Sequence, residues 1–479
     1  MQNSLSSDKQ QIDETLLKLL PKTAKNDPKA EKLASFLHQI TYKKIPTSSF
    51  SRMWLLGSLH TKVAAGYLAY WFKSRFADED KKNNLKNEVH LATALQLFGT
   101  MGYLRGAVLK IGQTLANFPE LLPDQFAEVL DSLHFEAPAM HYSMIREVFL
   151  DEFGAEPEQL FAKFEQKAFA AASLGQVHRA TLHTGETVAV KIQYPNIAQT
   201  IKNDIRNLRL LLQPLRFTDE WTSLHAKLED IEKVLLQEAD YLQEANFYQQ
   251  AAEMFQNTEK IVVPKVFTSF TRTCVLTTEY LAGVHLNEFL AQNPSQVQRD
   301  DFCHLLTVSS LRPYYQRKWY AADPHSGNFI FMPDGRLGLI DFGCIRVMTD
   351  QEWAINCEME QAFMVNNEAK IEQLLAKASW FDSPKDMPVE HLSLIKHFSL
   401  WLLAPWKTKG KVNFGKKEFY LDGMNCFIKL MRKGYTRGAP VYLWSNRSIL
   451  GYRVMAYRLQ GYTDFNTIFQ QEFPLRYPS

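Results

Sequence analysis

Between Leu91 and Phe118 apolar residues recur at threes and fours (LATALQLFGTMGYLRGAVLKIGQTLANF) until Pro119 stops the run. That spacing predicts a long helix with one buried face. A second helix opens at Pro123-Asp124-Gln125 and continues through Leu133, and a third covers Met144 to Phe153. Strand signals are few from Arg52 to about Leu150, so this region reads as all-helical. Near Phe164 the period changes. Ala168 to Ala180 and Thr187 to Gln193 read as strands around a turn at Thr184-Gly185-Glu186, and Pro195 ends the second. Helices follow over Ile197 to Gln213 and Leu224 to Phe255. Strand character returns at Val262-Val263, Val266-Phe267 and Cys274 to Tyr280. Helix resumes from Asp300 to Gln316. Phe329-Ile330-Phe331 and Leu337 to Ile340 form a hairpin around Pro333-Asp334-Gly335, and the chain is then largely helical to about Arg458. The fold class is α+β, with a small β-rich lobe followed by a larger α-rich one and no internal repeat. The divisions are a polar appendage over 1–45, a helical extension over 46–160, a β-rich lobe over 161–283 and a helical lobe over 284–479.

At 479 residues the chain has room for roughly two to four domains. Its 54 Lys+Arg against 52 Asp+Glu give a formal charge of +2, which removes the composition argument for a nucleic-acid partner. The five cysteines are scattered, with no C-x-x-C pair, so neither a zinc ribbon nor a thioredoxin motif is indicated. Their sparse, odd number suits a reducing compartment. The N-terminus lacks a basic start leading into an apolar run, and no stretch is apolar enough for a span. The expectation is therefore a cytoplasmic protein. Within residues 53–72, Leu55, Leu56, Leu59, Val63, Tyr67 and Tyr70/Trp71 recur at helical spacing, which predicts an amphipathic helix, with Trp54, Tyr70 and Trp71 as its large aromatic residues. Packing on the protein's own core is its plain reading, and peripheral membrane contact is the sharper one.

Several short motifs carry candidate chemistry. Lys191 ends the apolar strand Val188-Ala189-Val190-Lys191. Upstream, Ala170-Ala171-Ala172-Ser173-Leu174-Gly175-Gln176-Val177 overlays on G-x-G-x-x-G-x-V with alanines for the first two glycines. Small residues there let backbone N–H groups approach a phosphate, and alanine makes the loop stiffer than glycine would. Asp323-Pro324-His325-Ser326-Gly327-Asn328 spaces Asp and Asn as a phosphotransfer loop does, where Asp orients the acceptor and Asn binds a metal ion. Asp341-Phe342-Gly343, one hairpin later, offers a carboxylate for Mg²⁺. On the helix over Leu224 to Phe255, Glu238 or Glu244 is placed to pair with Lys191, with Asp240 and Glu244 expected on one face. Thr277 to Gly283, containing Glu279 and Leu281, looks like a hinge whose backbone would read adenine. Each signal is modest alone. Together they occur in the one order that a bilobal kinase fold requires.

On these residues the chain resembles the UbiB/ADCK atypical kinase-like proteins associated with ubiquinone biosynthesis. The likeness runs from about residue 50 to 460. Its most specific element is Lys110-Ile111-Gly112-Gln113, similar to the family's K-x-G-Q signature. The alanine-rich loop, Glu238-Ala239-Asp240 and Ala322 to Asn328 add to it. Ala321 and Ser326 depart from the common pattern but leave Asp323 and Asn328 intact. The resemblance implies a bilobal protein-kinase-like fold with an all-helical N-terminal extension. Its K-x-G-Q helices would lie over the peptide-binding site, with Lys110 reaching Glu238 or Glu244 and Gln113 helping to gate the cleft. It implies ATP or ADP with Mg as cofactors, Asn328 and Asp341 as metal ligands, and Ala170, Ala171, Ala172, Ser173, Gly175, Val177, Lys191, Glu279 and Leu281 around the nucleotide. ATP hydrolysis tied to lipid or quinone precursors is the implied activity, within a lipid-biosynthesis enzyme complex. The alternatives are a small-molecule or lipid kinase and a nucleotide-switched scaffold. No A-P-E follows Gly343 within the next fifty or so positions, which disfavours a protein substrate.

Overall fold

The structure, a computed structural model, describes residues 140–212, 221–378, 388–432 and 439–472. The helices expected over 91–118 and 125–133, the segment 53–72, and Lys110 and Gln113 lie outside the described residues. Nearly all described residues belong to one compact unit, formed by 138–202 and 214–479, while 203–212 fall in another.

In chain order the first elements are α1 (Tyr142–Phe153), α2 (Pro157–Leu160), β1 (Lys163–Phe164), β2 (Ala170–Ala172), β3 (Gly175–Thr181), β4 (Thr187–Gln193) and α3 (Ile197–Leu212). Then come α4 (Trp221–Glu238), α5 (Tyr241–Phe255), β5 (Ile261–Val262) and β6 (Val275–Glu279). Strands β1, β3, β4 and β6 pair in that order, all antiparallel, and β2 folds back onto β3. The run Ala168 to Ala180 is thus two strands, not the single strand expected. A two-residue turn at Ser173-Leu174 splits it. Alternation along β4 decides the sheet's two faces. Val188, Val190 and Ile192 are fully buried against Ile145 and Phe149 of α1, which form the core of this lobe with Phe161 and Val275. The opposite face carries Lys191, flanked in register by Val177 on β3 and Leu276 on β6.

The run Leu224 to Phe255 is likewise not one helix. It breaks after Glu238, and Asp240 caps the second piece, its Oδ1 accepting from the N–H groups of Leu242 (3.1 Å) and Gln243 (3.2 Å). The Asp240 carboxylate is thus spent on capping the helix whose first turn carries Glu244.

The second lobe begins with α6 (Leu286–Ala291), α7 (Gln296–Arg317) and β7 (Trp319–Ala321). Then follow β8 (Phe329–Phe331), β9 (Leu337–Leu339), β10 (Ile345–Val347) and the helices α8 (Asp350–Met364), α9 (Glu368–Lys377) and α10 (Val389–Lys407). β11 (Val412–Asn413), α11 (Lys417–Arg432), α12 (Val441–Leu459), β12 (Tyr462–Thr463) and α13 (Phe465–Glu472) complete it. The expected hairpin is present as β8–β9, with β5 alongside β9 in parallel, and β10 pairs with β7. The two pairings bring the loops after β7 and β9 side by side. The N–H of Ile340 donates to the carbonyl of Asn328 at 3.0 Å, and that of Ala322 to Cys344 at 2.7 Å. Helix α5 belongs to the same apolar core as α7, β8 and β9, so it joins the sheet lobe to the helical lobe.

Candidate active site

Lys191 projects from the middle of the sheet, a position that strand alternation fixes. Its Nζ lies 3.0 Å from both Oε1 and Oε2 of Glu244 and 3.5 Å from Oδ2 of Asp341. The Glu244 side chain is completely buried, whereas Asp341 keeps 30% of its side-chain surface. The Tyr241 ring centre is 5.0 Å from Nζ and closes one side. Burial opposes the ammonium, but Asp341 and Glu244 outweigh it and hold the Lys191 pKa well above its ordinary value. For Glu244 burial wins over Lys191 and raises the carboxyl to about 7.

Of the two acids left open by the sequence, Glu244 is the one that pairs with Lys191. Glu238, at the end of α4, instead accepts a hydrogen bond from the hydroxyl of Ser173 at the tip of the β2–β3 hairpin. The alanine-rich loop is thus tied down. Leu174 is buried, and its carbonyl accepts from the N–H of Tyr194 at 3.0 Å. Gly175 is needed for strand packing, since a Cβ there would meet the backbone oxygen of Ile192 at 2.0 Å. Ala170, Ala172 and Val177 are half-buried, and Ala171 is exposed. Glu279 is exposed at the end of β6, while Leu281 is buried in the connection to the second lobe.

Asp341 is oriented by its own turn, Oδ1 accepting from the N–H of Gly343 at 2.9 Å. Phe342 is buried edge-on to Tyr248, whose hydroxyl donates to the carbonyl of Ile340 at 2.5 Å. Asn328 donates its Nδ2 to the carbonyl of Asp323 at 2.8 Å, which commits the amide nitrogen to the loop and leaves the oxygen as the acceptor. Among the described residues no cluster of three or more His, Cys, Asp or Glu is placed to hold a metal. An all-protein cage is therefore not formed there. Magnesium usually takes one or two protein oxygens plus phosphates and water, and Asp341 with Asn328 suits that demand.

Arg447 carries no signal in the sequence. Its Nη2 lies 2.5 Å from Oδ1 of Asp323, from 124 residues further along the chain. Nothing local in Trp444-Ser445-Asn446-Arg447 marks it, because only the docking of α12 brings it there. At Gly451 that helix lies so close to the catalytic-type loop that a Cβ would meet the backbone oxygen of Pro324 at 2.4 Å. Arg346, three residues beyond Gly343, reaches Asp230 of α4 (3.1 Å) and Glu352 of α8 (2.9 Å). Trp444 of α12 donates to the same Asp230 at 2.6 Å.

The ABC1 atypical kinase-like domain model matches residues 132–375, about half of the chain. The chain belongs to the ABC1 atypical kinase-like family. This is the UbiB/ADCK group that the motifs indicate. Among the curated relatives of this ABC1 protein, atypical kinase COQ8, mitochondrial, of Schizosaccharomyces pombe is 29% identical over 348 residues, covering 72% of this chain and 56% of that protein. AarF domain-containing protein kinase 1 of Xenopus laevis is 26% identical over 300 residues, covering 62% and 58%. The chain spans about half the length of the curated relatives it matches. A solved structure, the complex of Rv3197 with erythromycin from Mycobacterium tuberculosis, superposes with a TM-score of 0.53 at 22% identity, covering 83% of this chain and 100% of that one. It shows the shared fold. Among the described residues no helix is long and apolar enough to cross a membrane.

Proposed function

We propose that this ABC1-family protein is an ATP-binding, Mg-dependent kinase-like ATPase acting in ubiquinone or related isoprenoid-lipid metabolism. The observation that carries this reading is the convergence of Lys191, Glu244 and Asp341, which are distant in sequence, on one ion-paired cluster. Lys191 holds the α/β-phosphates, and Glu244 keeps its ammonium in line. Asp341 and Asn328 hold magnesium, which when bound neutralises charge on the phosphates. Asp323 orients the attacking water, and Arg447 fixes one of its oxygens. The hairpin from Ala170 to Gly175 covers the phosphates, with Val177 beside Lys191 in register, and the backbone from Glu279 to Leu281 reads adenine. Catalysis in such a site is mostly positioning and electrostatic stabilisation. The names of the COQ8 relatives and the motif resemblance support the metabolic setting.

The test is phosphate release by the purified full chain, with and without Mg²⁺ and liposomes carrying quinone-precursor mimics. Lipid-stimulated, Mg-dependent hydrolysis that falls by at least about 100-fold in Asp341→Asn is expected. Label from the γ-phosphate appearing on an organic acceptor would move the reading to a lipid kinase. A calorimeter that records no heat with any adenine nucleotide would end it.

A further inference from the structure

Asp230 of α4 is buried, only 8% exposed, and lies outside the lysine–carboxylate cluster. Its Oδ2 accepts hydrogen bonds from two different elements, 3.1 Å from Nε of Arg346 on β10 and 2.6 Å from Nε1 of Trp444 on α12. The first arm leads to Asp341, because β10 continues the turn that Asp341-Phe342-Gly343 makes. Gln237, about two turns further along α4 and on the same face, secures that strand again, its Nε2 donating to the carbonyl of Ile345 at 2.6 Å. The second arm leads to Asp323. Trp444 is almost fully buried, and Arg447 follows it by three positions, so the two side chains leave neighbouring points on one face of α12. Nη2 of Arg447 then meets Oδ1 of Asp323 at 2.5 Å. The strand that β10 pairs with, β7, runs directly into Asp323, with Arg346 opposite Tyr320 in register.

A buried ion pair rarely stabilises a fold more than apolar side chains of the same volume would. What its hydrogen bonds do fix is direction, since one oxygen that must meet two donors leaves little freedom to either. We infer that Asp230 is a positioning residue for the reaction, an inference that rests on the ATPase reading above. Its single oxygen locks α12, and with it Arg447 and Asp323, to the strand that follows Asp341. The carboxylates of Asp323 and Asp341 thereby keep a fixed separation, although Asp230 touches neither. A residue so placed can matter to kcat, because a misplacement of about 1 Å at the reacting groups costs on the order of 100-fold.

Two measurements on the purified full chain test this. Trp444→Phe removes one donor and keeps a ring in place, while Asp230→Asn keeps the side chain's size and removes its charge. Without nucleotide, the hydrogen-bonded amides of Ala322 and Asn328 should exchange at least about tenfold faster in both variants, while β4 keeps its protection. In ATP hydrolysis each variant should lose about tenfold in kcat with KM for ATP little changed, the split expected of a group that does not touch the nucleotide. In an Arg447→Ala background, Trp444→Phe should lower kcat no further, because both act through Asp323. Unchanged exchange at Ala322 and Asn328 overturns the link whether or not the chain hydrolyses ATP. With an active wild type, an unchanged kcat, a loss confined to KM, or losses that multiply in the double variant overturns the positioning role alone. A wild type that releases no phosphate instead fails the ATPase reading and takes this role with it. Should Trp444→Phe not fold, Asp230→Asn still decides through the exchange and the kcat–KM split.

Discussion

Lys191 stands between two carboxylates of different character. Glu244 is fully buried and Asp341 is open to the cleft, so only Asp341 can turn toward an incoming cation without leaving a buried charge behind. With its carboxyl raised to about 7 by burial, Glu244 is partly protonated just below neutrality. ATP hydrolysis should therefore fall as the pH drops below about 7, and Glu244→Gln should lower the rate by at least about tenfold while flattening that limb of a pH–rate profile. For the fold itself the sign is opposite. Because the pKa of Glu244 rises from 4.5 to about 7, the native state binds more protons than the unfolded chain between those values, and this residue's contribution to stability declines as pH rises through that window. The raised Lys191 pKa contributes stability below the unfolded value of 10.5 that is lost as pH rises through its higher native value. Arg447 is ion-paired with Asp323, and on the proposed reading it acts through that carboxylate as a positioning residue. Arg447→Ala should reduce kcat by about tenfold with KM for ATP little changed, and Arg447→Lys should restore part of it. Steady-state kinetics showing a KM effect alone would contradict that role.

At the scale of elements, the site depends on where helices stop and how closely they dock. The break at Asp240 is what turns Glu244 toward Lys191 while Glu238 goes to Ser173. Asp240→Ala removes the cap of α5 and should cost about 1 kcal/mol in a denaturant titration. The docking of α12 on the loop that carries Asp323 leaves no room at Gly451. Gly451→Ala should destabilise by about 1–3 kcal/mol, because backbone and ring atoms of Pro324 must shift. It should also lower hydrolysis by displacing Asp323. The spacing of apolar residues marked most of these helices, since a buried stripe must repeat every three or four positions. It missed the break within 221–255, because both pieces keep apolar residues through the junction and a single cap overrides periodicity.

In the whole molecule, the β-rich and helical lobes meet through the Lys191 ion pairs and through Arg346, Asp230 and Trp444. A nucleotide gripped from both sides should stabilise both. At about one hundred times its dissociation constant, ADP with Mg²⁺ should add about 2.7 kcal/mol, seen as a melting point raised by several degrees. Asp341→Asn should remove the Mg-dependent part of that shift. The sequence by itself determined the order of the lobes, the lysine on its strand, the Asp…Asn loop and the D-F-G turn, because those features are written in short-range spacing and local backbone chemistry. Only the tertiary structure decided that Glu244 faces the lysine, that Ser173 ties down the hairpin, and that Arg447 meets Asp323. Those three depend on helix phase and on contacts between segments far apart in the chain, and neither is encoded in any local pattern.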